Sequence, residues 1–196
     1  MENQGKLIII TGSTGSGKDT IVAELRKINP SWKQIVTSTT RSMRPNEAQG
    51  VEYNFLDRET FKKMENNGDF IETVEYAGNH YGTPKTAFNP LFAGVTLIWR
   101  IEASMSAKVN ELINTSFDLE TAKNLIKNIK VFYIDLPDKE TIYKRLRTRG
   151  MSGEEIERRI NQDEKDRAEY QFEHIIINSD GYLNESVQKI VDLIKS

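Results

Sequence analysis

An apolar run near the start of the chain passes directly into a glycine-rich turn, and this junction constrains the fold most strongly. Residues 7–10 are four aliphatic residues in a row, which is typical of a strand buried on both faces. Gly12, Gly15 and Gly17 follow at short intervals. The helical spacing of three later apolar residues predicts a helix next: Ile21, Val22 and Leu25. The sequence therefore predicts a strand, a tight turn and a helix, in that order.

The turn has the chemistry of a phosphate-binding loop. Glycines let successive backbone N–H groups point inward at an anion, and the helix start adds the positive end of its dipole. Lys18 adds a mobile positive charge for outer phosphates. A chance lysine after an ordinary turn is the competing interpretation, which the agreement of strand, spacing, lysine and helix disfavours. The residues predicted to bind phosphate are Gly12, Ser13, Gly15, Ser16, Gly17, Lys18, Asp19 and Thr20.

A divalent cation is expected at the same loop. The residue after the lysine is usually Ser or Thr, whose hydroxyl binds Mg²⁺, whereas here it is Asp19. A carboxylate binds a hard cation directly or through water. Mg²⁺ is therefore an expected cofactor, with Asp19 as its candidate ligand.

Composition limits the class of protein. The 196 residues suffice for one core and a smaller lobe, with 37% hydrophobic and 29% charged residues. A net charge of −2 argues against a general binder of nucleic acids or membrane surfaces. No apolar run approaches the roughly 20 residues of a membrane span, and the polar start is unlike a signal peptide, so a cytoplasmic location is expected. The lack of cysteine excludes disulfides, and two isolated histidines argue against a zinc site.

Strands and helices alternate along most of the chain, which predicts an α/β fold with a parallel central sheet covered on both faces. Three later apolar runs are interpreted as further strands of this sheet: residues 94–99, 131–137 and 174–178. Residues 104–130 are expected to be mostly helical, with a break at residues 114–116. Ligands are expected at the carboxyl ends of the strands.

An insertion separates the first helix from the rest of this sheet. Residues 35–85 are interpreted as a small mixed lobe that carries several polar aromatic residues. Residues 50–56 and 70–76 alternate as strands, and residues 77–84 are expected to form a turn.

Two groups of arginines are candidate anion ligands. Arg41 and Arg44 precede Pro45, which disfavours helix, and on a loop both guanidiniums can converge on one phosphate. Solvated surface arginines are the alternative interpretation. A very polar helix is expected at residues 154–170, either as a solvated strut or as a mobile flap whose arginines meet a ligand.

Several short motifs occur in a specific order and spacing. They are the loop at residues 12–18, Ser38-Thr39-Thr40-Arg41 with Arg44-Pro45, Gly50 with Tyr53, Phe70-Ile71-Glu72, Tyr81-Gly82-Thr83, Arg145-Leu146 with Arg149-Gly150, Arg159, and Ile177-Asn178. Across residues 6–195 the chain thereby resembles the guanylate kinase family. The resemblance implies one P-loop domain of three layers, with a core (residues 5–34, 86–146 and 171–196), a small mixed lobe that binds a nucleoside monophosphate (residues 35–85) and a helical lid (residues 147–170).

The resemblance also implies reversible transfer of the γ-phosphate of ATP to GMP or dGMP, giving ADP and GDP, with Mg²⁺. The implied partners are small nucleotides, without nucleic acid or membrane, and the oligomeric state stays open. Asn178 would lie near the adenine. The residues implied to act on the transferred phosphate are Lys18, Arg41, Arg145, Arg149 and Arg159.

By the same resemblance the small lobe would hold GMP. Its phosphate would be bound by Arg41, Arg44, Tyr53 and Tyr81. Glu72 would accept hydrogen bonds from the guanine ring N–H and amino group, which suits a carboxylate because it only accepts. Thr37 and Thr83 would face the base oxygen, and Glu102 would contact guanine. A base without these donors would leave the Glu72 carboxylate unpaired, which is a strong source of discrimination.

One departure from the family pattern keeps alternatives open. Arg100 stands where the family typically has an aspartate, and it inverts the charge near the reaction centre. A kinase of sugar phosphates, similar to ribose bisphosphate phosphokinases, is a second interpretation, since those also have Gly-Lys-Asp in the loop. A third is a guanylate-kinase-like binding module without catalysis, against which Lys18 and the implied lid arginines, Arg145, Arg149 and Arg159, argue.

Overall fold

The computed structural model describes residues 5–76 and 78–195. Its strands are β1 (Leu7–Gly12), β2 (Lys33–Gln34), β3 (Ser38–Thr39), β4 (Asn54–Phe55), β5 (Phe70–Tyr76), β6 (Asn79–Pro84), β7 (Leu97–Arg100), β8 (Ile129–Asp135) and β9 (His174–Ile177). Its helices are α1 (Lys18–Ile28), α2 (Arg58–Asn66), α3 (Asn89–Phe92), α4 (Ala103–Ala107), α5 (Val109–Ser116), α6 (Leu119–Lys127), α7 (Lys139–Thr148), α8 (Gly153–Glu169) and α9 (Leu183–Lys195), with a 3-10 helix at Lys85–Phe88.

Strand β1 lies at the centre of a five-stranded parallel sheet in the order β2-β7-β1-β8-β9. Ile8 and Ile10 pack on one face with residues of α1 and α9. Leu7 and Ile9 pack on the other face with residues of α5 and α6. Burial on both faces explains the uninterrupted aliphatic run, and the predicted α/β fold with a parallel central sheet is confirmed.

The parallel arrangement brings the last residues of three neighbouring strands to one edge of the sheet. Strand β1 ends at Gly12, β7 at Arg100 and β8 at Asp135. Asn178 directly follows the edge strand β9. Chain connections leave the sheet at this edge, so polar side chains from distant parts of the sequence meet there.

A second sheet has the order β4-β3-β6-β5 and combines parallel and antiparallel pairs. Residues 77–84 were expected to form a turn, and this expectation is wrong for residues 79–84, which form β6 and pair with β5. Ala77 lies outside the described residues. His80 therefore lies inside a strand, where its ring stacks on Phe61. The sequence of β6 lacks a clear alternation of apolar and polar residues, because the inward position at Gly82 is filled by the aromatic rings of Phe61 and Phe70.

Residues 104–130 form three short helices, α4, α5 and α6, and the first residues of β8. The expected break at residues 114–116 is displaced, because α5 continues to Ser116 and Asp118 caps α6 by accepting hydrogen bonds from two amides. A further break falls at Lys108, between α4 and α5. The cap at Asp118, rather than the polar residues before it, sets the boundary.

The polar helix α8 is anchored by a narrow apolar stripe. Ile156 and Ile160 are fully buried against Ile142 and Leu146 of α7. Their spacing of four places both on one face of α8, which leaves the remaining faces to charged residues. Among the described residues, none of the helices is both long and apolar enough to cross a membrane.

Candidate active site

The phosphate loop, residues 12–18, has a backbone that only glycine fits at its two ends. Gly12 has φ 136°, and a Cβ there would lie 2.0 Å from the Ile134 carbonyl oxygen. Gly17 has φ 86°, and a Cβ there would lie 2.8 Å from Nδ2 of Asn178. No side chain caps α1 at Gly17, which suits a helix N-terminus that receives an anion. The Ser16 hydroxyl is buried and has no hydrogen-bond partner among the described residues.

The Lys18 ammonium is folded back onto the loop. Its Nζ donates to the carbonyl oxygens of Gly12 at 2.7 Å and Ser13 at 2.8 Å. Burial lowers the pKa of Lys18, and the nearby carboxylates of Glu102 and Asp163 counteract this only in part. A desolvated ammonium at the loop interacts more strongly with a phosphate than a hydrated one would.

Asn178 and Arg145 brace the loop from the edge-strand side. Asn178 donates from Nδ2 to the Ser16 carbonyl at 2.7 Å, and it is only 5% exposed. Arg145 donates to the Gly15 carbonyl at 3.1 Å and to the Asn178 carbonyl at 3.0 Å, and it forms an ion pair with Asp180 at 2.6 Å. The structure thus brings both predicted residues to the loop, where they hold its backbone.

The other two predicted lid arginines lie apart from these contacts. Arg159 pairs with Glu155 one turn earlier on α8, at 2.9 Å. Arg149 ends α7 and is exposed. Neither has a hydrogen bond to the phosphate loop in the part of the chain described.

Helix α8 instead contacts the loop through Asp163. Its Oδ2 accepts a hydrogen bond from the Thr14 amide at 2.7 Å. Burial raises the pKa of Asp163 to about 6, which the Thr14 hydrogen bond and the Lys18 charge only partly oppose. A carboxylate of the protein therefore occupies an amide of the loop predicted to bind phosphate.

A second contact between α8 and the loop runs through Asp135. The Ser13 hydroxyl donates to Asp135 at 2.6 Å and lies 3.1 Å from the Tyr133 hydroxyl. Arg167 of α8 forms an ion pair with the other Asp135 oxygen. Burial raises the pKa of Tyr133 to about 12, so its hydroxyl keeps its proton at neutral pH. Because the Ser13 hydroxyl uses its hydrogen in the bond to Asp135, the Tyr133 hydroxyl is the donor in the hydrogen bond between Tyr133 and Ser13.

Sequence reasoning assigned no site role to Asp135 and Asp163, and it considered Arg167 only as one of the arginines of a polar helix that is either a solvated strut or a mobile flap. For Asp135 a signal was available, because it is a polar residue at the carboxyl end of a parallel strand, where ligands bind. The contacts of Asp163 with Thr14 and of Arg167 with Asp135 have no local signal, because they depend on how α8 docks on α7.

Arg100 and the predicted metal ligand Asp19 form an ion pair. Nε of Arg100 lies 3.1 Å from Asp19 Oδ1, and the Asp19 side chain is 82% exposed. Such an exposed pair contributes only about 0–1 kcal/mol, so a ligand can separate it. Glu102 follows as the N-cap residue of α4, and Thr20 is exposed in the first turn of α1.

In the second sheet Glu72 is held by a threonine hydroxyl. Thr83 is fully buried and donates from Oγ1 to Glu72 Oε1 at 2.6 Å. Burial raises the pKa of Glu72, and the Thr83 hydrogen bond opposes this. Thr37 directly precedes β3, the strand that pairs with β6. The Thr83 hydroxyl thereby fixes the orientation of the Glu72 carboxylate.

Three of the four predicted phosphate ligands of this lobe, Arg41, Tyr53 and Tyr81, form an aromatic and basic cluster. The Arg41 guanidinium carbon lies 5.4 Å from the centre of the Tyr53 ring, which contacts the Tyr81 ring edge-on at 6.0 Å. Arg41 also binds Glu47 through two hydrogen bonds, at 2.8 and 2.9 Å. The Arg44 amide donates to the same Glu47 carboxylate at 2.8 Å.

Glu47 was not anticipated as a partner of Arg41. The pair is shielded, with side chains 16% and 13% exposed. A guanidinium has five N–H donors, and three of those of Arg41 have partners among the described residues, Glu47 twice and the Ser42 carbonyl once. Glu47 therefore orients Arg41 and leaves two donors for a ligand.

Replacing Asp163 with asparagine is expected to stabilise the protein at neutral pH. The folded-state pKa of about 6 lies above the ordinary 3.8, so the stability contributed by the protonated carboxyl is complete below about pH 4 and is lost as the pH rises through 6. At pH 7–8, after allowance for solvent screening, Asp163→Asn should raise the free energy of unfolding by about 1–2 kcal/mol.

Thermal unfolding of both proteins across pH 4–8 measures this difference. Glu157→Gln, which removes an exposed carboxylate from the same helix, should show no such pH-dependent gain. Equal stability of wild type and Asp163→Asn at pH 7.5 would contradict a desolvated Asp163.

Comparisons with known proteins agree with this geometry. The guanylate kinase family model matches residues 4–196. A guanylate kinase of Prochlorococcus marinus subsp. pastoris is 33% identical over 199 aligned positions, which cover 100% of both chains. One of Nostoc sp. is 35% identical over 90% of this chain and 83% of the relative. The crystal structure of guanylate kinase from Anaplasma phagocytophilum shares the fold, with a TM-score of 0.67 at 21% identity over 100% of this chain and 87% of that one. The chain therefore belongs to the guanylate kinase family, a family of nucleoside monophosphate kinases.

Proposed function

We propose that this protein reversibly transfers the γ-phosphate of ATP to GMP or dGMP, giving ADP together with GDP or dGDP. One observation carries the choice of acceptor: the Glu72 carboxylate is fixed by the buried Thr83 in a sheet separate from the phosphate loop. Guanine presents a ring N–H and an amino group side by side, and a carboxylate accepts from both. The corresponding edge of adenine lacks this donor pair, so Glu72 would stay unpaired.

On the donor side the phosphate loop receives the ATP phosphates. The backbone amides after Gly12 and the N-terminus of α1 supply hydrogen bonds and partial positive charge. Lys18 exchanges its loop carbonyls for the outer phosphates, and its desolvation strengthens that interaction. Arg149 and Arg159 have no hydrogen bond to the loop in the described residues, and they would approach these phosphates when the lid moves, Arg159 by leaving Glu155.

On the acceptor side the Arg41 cluster holds the GMP phosphate. Glu47 fixes the guanidinium of Arg41 in one orientation, and the rings of Tyr53 and Tyr81 lie in the same cluster. Arg44 adds a second positive charge from the same loop. A phosphate dianion matches such a planar guanidinium in bidentate geometry.

Phosphoryl transfer needs no nucleophile from the protein. The transition state is loose and spreads charge over the equatorial oxygens, so alignment and charge stabilisation provide the rate. We propose residues 35–85 as the lobe that brings GMP to the donor and residues 147–170 as the lid. Closure of the lid would exclude water and prevent hydrolysis of ATP. The partners are then small nucleotides, and we expect the protein to bind them in the cytoplasm.

Mg²⁺ fits the residues present as a cofactor shared with the nucleotide. Among the described residues, no group of three or more carboxylates or imidazoles forms a cage for a metal. Mg²⁺ commonly needs only one or two carboxylates beside substrate phosphates, and Asp19 supplies one in the first turn of α1. When bound, the ion would neutralise charge on the phosphate oxygens. Arg100 would have to release Asp19 for this purpose.

An acceptor screen tests the proposed function. ADP formation from ATP should be measured with GMP, dGMP, AMP and ribose 1,5-bisphosphate in parallel, at equal concentrations. We expect turnover with GMP or dGMP at least roughly 10²-fold faster than with AMP, because the wrong base leaves Glu72 unpaired. Turnover with the sugar phosphate and none with GMP would replace the proposed acceptor, and no turnover with any acceptor would leave a binding module.

A further inference from the structure

The contact between Asp163 and the Thr14 amide puts a protein carboxylate at the phosphate loop. Thr14 is in the middle of that loop, and the hydrogen bond to Asp163 Oδ2 measures 2.7 Å. Amides of such a loop bind anions, and a carboxylate is an anion with the same accepting chemistry as a phosphate oxygen. The Thr14 amide therefore already has the type of partner that a donor phosphate would supply.

Helix α8 is held in the position that this contact requires. Arg167, one turn after Asp163, forms an ion pair with Asp135, which also accepts from Ser13 of the loop. Ile156 and Ile160 anchor the same helix on α7. Asp163 is thus fixed against the loop from both sides along the helix.

The charges around Asp163 favour its exchange for a phosphate. Lys18 attracts the carboxylate, whereas Asp166 on the same helix and Glu102 at the start of α4 repel it. A phosphate bound at the loop would repel it further and would attract Lys18 more strongly, since it carries more charge. Burial also disfavours the ionised carboxyl of Asp163. The short hydrogen bond lets Asp163 occupy the Thr14 amide. Burial and the neighbouring carboxylates destabilise the ionised Asp163 side chain, so a phosphate can displace it.

We propose that Asp163 sets the affinity of the donor site by occupying the Thr14 amide until a donor phosphate displaces it, which couples phosphate binding to movement of α8. This inference rests on the proposed function only in assigning the loop to the donor phosphates. Removing the carboxylate should strengthen phosphate binding, because the fraction of protein with a free amide rises. A residue with a merely structural role would not give tighter binding when removed.

Calorimetric binding tests this with ATP and, separately, with inorganic tripolyphosphate, which has no base or sugar. Asp163→Ala, which frees the Thr14 amide, should bind both ligands about 10-fold more tightly than wild type. Asp163→Asn removes the charge but can still accept from the amide, so it should bind both ligands more tightly than wild type by a smaller factor. Glu157→Gln, an exposed charge removal on the same helix, should bind like wild type. Unchanged or weaker binding of tripolyphosphate by both Asp163 variants overturns the inference. Tighter binding of tripolyphosphate without any transfer from ATP to GMP supports the inference and rejects the proposed function.

A second measurement does not depend on a change in affinity. The amide resonance of Thr14 in the free protein should titrate with a midpoint near pH 6, as Asp163 ionises. Saturating tripolyphosphate should abolish that titration, and Asp163→Asn should lack it. A Thr14 amide that does not respond between about pH 4 and 8 in the free wild type would overturn the inference.

Discussion

Replacing Lys18 with alanine is expected to lower kcat/KM for phosphoryl transfer by roughly 10²–10³-fold, the usual effect of removing one preorganised charge at a transition state. The ammonium is desolvated against the loop carbonyls of Gly12 and Ser13, where it can transfer to the outer phosphates of the donor. Initial rates with saturating GMP and varied ATP measure the loss.

Folding should not account for that loss. Because burial lowers the pKa of Lys18, its charged form is disfavoured in the folded state, and removing it should leave the free energy of unfolding unchanged or higher. Lys27→Ala is the matched control, since Lys27 lies at the other end of α1 and is 76% exposed. Retained activity in Lys18→Ala, with a loss in Lys27→Ala, would contradict a role of the phosphate loop in phosphoryl transfer.

Glu72→Gln is expected to raise KM for GMP by roughly 10²-fold, because the ligand loses hydrogen bonds to a charged acceptor. Glutamine keeps the size of the side chain and can still accept from the Thr83 hydroxyl, so the lobe should stay folded. KM for ATP should change less than about 2-fold, because the donor binds at the separate phosphate loop. An equal effect on both nucleotides would mean that the base is recognised elsewhere.

The pH dependence adds an independent test of Glu72. Burial raises the pKa of this carboxyl in the free protein, so its ability to accept should be lost on acidification at a higher pH than for an ordinary glutamate. The affinity of the wild type for GMP should therefore weaken on acidification as Glu72 is protonated. Glu72→Gln lacks this titrating group, so its affinity for GMP should not show that loss. Glu75→Gln, an exposed change on the same strand, should follow wild type.

The phosphate loop was predictable from sequence because its requirements are local. A strand buried on both faces requires aliphatic residues throughout β1, and positive φ requires glycine at positions 12 and 17, so each requirement is visible in the sequence itself. The class of fold followed from the alternation of strands and helices, since few topologies bury such strands. Lys18 needed no information from elsewhere in the chain.

Other features depended on contacts between distant residues. Strand β6 has little apolar alternation, and it forms because its partner β5 supplies the pairing. The Asp163 contact with Thr14 joins residues 149 positions apart and requires α8 to dock on α7 first. For Arg41 the sequence indicated an anion ligand, whereas the ion pair with Glu47 depends on the shape of the intervening loop.

Product stoichiometry tests the central claim most directly, namely that the loop and the Glu72 lobe align two nucleotides for direct transfer. Phosphorus NMR of wild type with ATP, GMP and Mg²⁺ should show ADP and GDP forming in equal amounts, without inorganic phosphate. Formation of ADP with inorganic phosphate, and no GDP, would contradict the account.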